Sequence, residues 1–117
     1  MGNNKYDALY YFNKFSAIPE SKWKVGGFGT RGDGPHCALG HVDIHNYTDE
    51  TVGLIDLFTR YHENKGLSMA NHCWGGVANI NDLGALSGTY GSRTGKDAKE
   101  SILCVLAEIL MQDENGK

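Results

Sequence analysis

Apolar residues recur at helical spacing in three stretches of the chain. In KYDALYYFNKFSAI, residues 5–18, Ala8, Tyr11, Phe12, Phe15 and Ile18 form one stripe, and Pro19 ends the pattern. Thr48 precedes DETVGLIDLFTRYHE, where Leu54, Leu57, Phe58 and Tyr61 fall at i, i+3, i+4 and i+7. Asp49 and Glu50 stand at the end of the dipole that favours negative charge, so a second helix is predicted from about 49 to 63, closed by Gly66. The last stretch is the clearest. Thr94 is placed to cap it and Asp97 to return a hydrogen bond to the cap backbone. Ala98, Ile102, Val105, Leu106 and Ile109 then run as a continuous stripe over about 95–112. Leu103 and Leu110 widen that stripe, and Cys104 with Met111 adds apolar surface on the far side, which predicts contact with a second subunit.

Two regions follow other patterns. Trp23, Val25 and Phe28 alternate with other residues, the glycine-rich TRGDGP follows, and a second apolar stretch starts at Cys37. That order suits a short β-hairpin, or a strand leading into a turn, although Gly26 and Gly27 weaken the strand. In SMANHCWGGVANINDLG the apolar residues fit neither period, and a short helix or a short strand is expected there. The pattern as a whole predicts an α+β fold, about three helices packed with a short β-hairpin, in one compact domain over residues 1–117.

Composition narrows the function classes. A chain of 117 residues can bury a sufficient core without disulfide or metal staples. Eleven Lys and Arg against 14 Asp and Glu give a formal charge of −3, which argues against duplex nucleic acid as a partner. No apolar run is long enough to span a membrane, and MGNNKYDALYYF lacks a leader pattern, so a cytoplasmic protein without membrane contact is expected. Tyr6 stands where myristoylation prefers Ser or Thr. Cys37, Cys73 and Cys104 are an odd number and read as reduced thiols. The 16 glycines cluster at 26–34, 75–76 and 84–95, marking loops that can bring backbone N–H groups to a ligand.

GDGPHCALGHVDIH, residues 32–45, concentrates the candidate chemistry. His36, His41, His45, Cys37 and Asp43 offer zinc-ligand types, yet VDIHNY carries no helix signal to gather them on one face and no C-x2-C pair is present. Polar loop histidines are the plainer reading. Cys37 beside His36, and Cys73 beside His72, suggest a thiol and an imidazole, with Cys37 served by His72 or His41 as the nucleophile of a hydrolase or transferase. The competing reading packs Cys37, Ala38 and Leu39 into the core. GSRTGKD, residues 91–97, opens a helix whose free amides, with Arg93 and Lys96, suit an anion. It departs from a Walker sequence in spacing and at Asp97, so NTP hydrolysis is not expected. Asn79, Asn81 and Asp82 are expected to make turns or to face a ligand, and Trp23 and Trp74 to be core or lid residues.

Trp23-x2-Gly26, the Asp33-Gly34 turn, Cys37-Ala38-Leu39-Gly40, Asn81-Asp82 and the Thr94-capped helix with Ile102, Val105 and Leu106 together resemble a domain of unknown function found in small bacterial and phage proteins. The resemblance spans about residues 23–110. Ile80 replaces the Trp that the pattern places before Asn-Asp, and His36 and His41 flank the Cys-Ala-Leu-Gly box where the pattern has other residues. The resemblance implies a compact α+β fold, an origin in a bacterium, phage or mobile element, and hence the cytoplasm of a bacterial host cell. It supplies no activity and gives the histidines no shared role.

The expected function is therefore binding without turnover, with no cofactor. A homo-oligomer would sequester a small anionic, nucleotide-like ligand or a host protein, as in interference with host defence, through Arg31, His36, His41, Asn81, Arg93 and Lys96. The competing expectations are a Cys/His hydrolase or transferase using Cys37 and a zinc-supported interaction module.

Overall fold

A computed structural model of the chain describes residues 6–25, 35–42, 48–68, 73–84 and 93–115. Among them are five α-helices: α1 (Ala8–Ser16), α2 (Ala38–His41), α3 (Asp49–Asn64), α4 (Val77–Leu83) and α5 (Gly95–Asn115). Short 3-10 turns stand at Glu20–Lys22 and Cys73–Gly76.

The expected α+β architecture is overturned, because no strand or sheet exists among the described residues. Among the described residues the β-type contact is an isolated bridge between Trp23 and His36, and it is parallel. Its bonds run from Lys24 N–H to the His36 carbonyl at 3.1 Å and from His36 N–H to the Lys22 carbonyl at 2.9 Å. Two strands joined by a tight turn must be antiparallel, so this pairing is not a hairpin. Cys37-Ala38-Leu39 enters the core as one helical turn, and the segment after Gly76 is α4.

Local chemistry explains the long helices. Asp7 caps α1 by accepting from Tyr10 N–H at 2.9 Å, and Ala8, Tyr11 and Phe15 are its buried face. Thr48 caps α3, accepting from Thr51 N–H at 3.4 Å. The stop of α3 is a Schellman arrangement. Leu67 N–H reaches the His62 carbonyl at 3.0 Å and Gly66 N–H the Glu63 carbonyl at 2.9 Å, with Gly66 at φ +80. At the start of α5, Asp97 accepts from Thr94 N–H at 2.9 Å while Thr94 Oγ1 accepts from Asp97 N–H at 3.3 Å, the reciprocal cap expected of this pair.

The helix α5 runs through the middle, with α1, α2, α4 and the first 3-10 turn packed on it. Its stripe Ala98, Ile102, Val105, Leu106 and Ile109 is buried, and Leu103 and Leu110 pack against the same core. Much of the surplus apolar surface is thus used inside the molecule, while Met111 remains 62% exposed. Tyrosines fasten α1 to the start of α3. Tyr11 donates to the Glu50 carbonyl at 2.6 Å and Tyr10 to the Glu50 carboxylate at 2.5 Å, where Lys14 also pairs at 2.9 Å. That carboxylate bond, with burial, pushes the Tyr10 hydroxyl up to about 12.

Two close backbone approaches set the remaining geometry. Gly75, at φ +64, lies so near α3 that a Cβ would stand 2.4 Å from the Ile55 carbonyl oxygen. A Cβ on Gly95 would stand 2.1 Å from the Trp23 carbonyl oxygen, so the first turn of α5 rests directly on the segment that carries the Trp23–His36 bridge. No helix among the described residues is long and apolar enough to cross a membrane.

Candidate functional site

Four of the six residues expected to bind a ligand cluster in two groups. The first is a junction around Asn81, whose side chain is fully buried. Its Oδ1 accepts from the Ala38 amide at 3.0 Å, and its Nδ2 donates to the Lys24 carbonyl at 2.9 Å and to Asp82 at 2.8 Å. The Asn81 carbonyl in turn accepts from Arg93 at 3.4 Å. Arg93 Nη2 also donates to the Asp97 carbonyl at 3.3 Å and to Ser101 Oγ at 2.9 Å. Asn81 is therefore a brace joining α4, the start of α2 and the 22–24 segment, and Arg93 ties the end of α4 to α5. The Asn81 amide is used within the fold, whereas Arg93 Nε is buried without a hydrogen-bond partner among the described residues.

His36 and His41 form the second group. Their rings meet edge to face at 5.4 Å between centroids, and His41 also lies 4.9 Å from the buried Trp23 ring. His41 Nε2 is 2.9 Å from the Lys22 carbonyl, which requires that nitrogen to carry the proton. Burial, with the charges of His36 and Lys14 adding, pushes the imidazole down to about 4 despite that hydrogen bond. A ring so used is a neutral structural donor. Lys96 is exposed on the first turn of α5, and Arg31 lies outside the described residues.

The thiol reading fares as its packing dictates. Cys37 is 3% exposed, and burial pushes its thiol up, against backbone hydrogen bonds from Gly40 and Leu39 that favour the thiolate. A nucleophilic cysteine needs the opposite shift. Its proposed partner His72 lies outside the described residues, as do Asp43 and His45 of the zinc reading. Among the described residues no three His, Cys, Asp or Glu side chains gather to hold a metal.

A further opening lies elsewhere, on the face between the end of α3, α4 and α5. A groove of about 660 Å³ is lined by Tyr61, Leu67, Ile80, Cys104 and Val105, with His62, Lys65, Gly84, Glu100, Ser101 and Glu108 completing the wall. One rim is a closed polar set. Glu108 accepts from the Tyr61 hydroxyl at 2.7 Å and pairs with Lys65 at 2.6 Å, while the Lys65 ammonium stands 5.2 Å from the centre of the Tyr61 ring. The Lys65 contact, helped by Tyr61, holds the Glu108 carboxyl below its ordinary value, and burial raises the Tyr61 hydroxyl. His62 is buried, with Nδ1 at 2.8 Å from the Phe58 carbonyl.

The sequence pattern placed Tyr61 and Val105 on apolar stripes but did not show that both line one groove. The available signal was Tyr61-His62 followed by Lys65 at the end of α3, facing Glu100, Cys104 and Glu108 at four-residue intervals on α5. Comparison of the chain with protein-family models, curated proteins and solved structures found no match. The likeness to small bacterial and phage proteins therefore rests on its short motifs alone.

Proposed function

We propose that this protein binds a small, largely apolar molecule in the α3–α4–α5 groove and does not transform it. The groove itself carries the reading. Its volume of about 660 Å³ falls within the range of small-molecule sites, and Leu67, Ile80, Val105 and the Tyr61 ring offer an apolar floor bordered by a few polar groups. The buried, unactivated Cys37 supports binding over nucleophilic chemistry. This reading keeps the expected class, a binding protein, and moves the ligand away from Arg93 and Lys96.

A neutral fluorescent probe, phenylnaphthylamine, tests it. The expected result is saturable enhancement of probe emission by the wild-type protein. Cys104→Trp places a large ring at an exposed position of the groove wall and should abolish that signal with the helical circular dichroism unchanged. Lys96→Ala, outside the groove, should leave it unchanged. Undiminished binding by Cys104→Trp, or no binding by wild type, overturns the assignment.

A further inference from the structure

The charges around the groove select among apolar ligands. Lys65 is engaged by Glu108 at 2.6 Å, and the same carboxylate holds the Tyr61 hydroxyl, so that rim is neutral as a unit. Arg93 does not line the groove and donates to Ser101 Oγ and to the Asp97 carbonyl. Lys65, the Lys or Arg side chain that lines the groove, therefore already has a carboxylate. Glu100, one turn before Cys104 on α5, is left over: it lines the groove, stands exposed, and has no hydrogen bond or ion pair among the described residues. Acidic residues also outnumber basic ones in the whole chain, at a formal charge of −3.

We propose that the groove takes a cationic amphiphile, an amine on an aryl or alkyl body, with the body against Tyr61, Ile80 and Val105 and the ammonium group at Glu100. This rests on the groove being a ligand site. An anion of the same shape would approach an unneutralised carboxylate while finding Lys65 occupied. An uncharged analogue would gain the apolar contact only.

Calorimetric titration with naphthylmethylamine, naphthylmethanol and naphthylacetate reads this order. The amine should bind about threefold more tightly than the alcohol, the gain expected of a solvent-exposed ion pair, and the carboxylate more weakly than either. Raising the salt concentration should shrink the spread. Glu100→Gln, at an exposed position, should bring the amine to the affinity of the alcohol and leave the alcohol unchanged. Equal binding of amine and alcohol to wild type, or an amine preference that survives in Glu100→Gln, overturns the ligand class while the groove stands. Absence of binding by all three overturns the groove reading as well.

Discussion

At the scale of single residues, His41 shows how packing turns a group that suggests chemistry into one that supplies structure. Its Nε2–H serves the Lys22 carbonyl, and its ring lies against Trp23 and His36. A pH dependence follows. Well above its ordinary value of 6.5 the imidazole is neutral in both folded and unfolded chains. As the pH falls toward 4 the unfolded chain takes up a proton that the folded ring resists, so stability is lost across that window. Urea midpoints at pH 7 and pH 4.5 should differ, and His41→Phe, which keeps a ring but cannot charge, should lose part of that difference. The ring is only half-buried, so solvent screening keeps the effect moderate. An unchanged pH dependence in His41→Phe would contradict the assigned environment.

At the scale of elements, the turn before α4 is the most constrained feature. Trp74, Gly75 and Gly76 all have positive φ, at 56, 64 and 80. At Gly75 the approach to the Ile55 carbonyl leaves no space for a side chain. Gly75→Ala combines backbone strain with a collision against α3, and should cost roughly 1–3 kcal/mol in chemical denaturation. Gly66→Ala meets the strain without the collision, since nothing lies within 4 Å of a Cβ there, and should cost less. A loss at Gly75→Ala no larger than at Gly66→Ala would refute the close approach.

The elements also show what the sequence made legible. The three long helices stood out because each has a stripe several turns long and its own boundary signal: Pro19 for the first, Thr48 and Gly66 for the second, Thr94 and Asp97 for the third. Helices α2 and α4, of four and seven residues, are too short for a period of 3.6 to declare itself. The alternation at Trp23 and Val25 makes no strand: Lys22 and Lys24, on either side of Trp23, bond His36 in the parallel sense, a pairing that a pattern within one segment cannot reveal. The candidate site was less legible than the fold. Residues with conspicuous chemistry, Asn81, Arg93 and His41, make internal hydrogen bonds, whereas the groove is lined jointly by α3, α4 and α5, a relation between distant stretches of chain.

At the scale of the whole molecule, one amide brings three parts of the fold together. Asn81 joins α4 to Ala38 and to Lys24 across sequence separations of 43 and 57 residues. Asn81→Ala leaves the Ala38 N–H and the Lys24 carbonyl without these partners, one in a buried and one in a part-buried setting. The expected cost is roughly 2–4 kcal/mol, read from equilibrium unfolding. Asn81→Asp keeps the acceptor toward Ala38 but loses the donor toward Lys24 and places a carboxylate beside Asp82, so it should rescue little. A loss below about 1 kcal/mol for Asn81→Ala would show that these bonds are replaced by others.

The same amide imposes an order on self-assembly of the chain. A four-residue helix cannot nucleate alone, because a single turn gains too few bonds to offset the entropy of fixing it. Helix α2 is therefore expected to form together with its contact to α4, which closes a loop across 43 residues. The Cys-Ala-Leu-Gly turn is thus expected to be a late product of folding, templated by longer helices rather than a seed around which they gather.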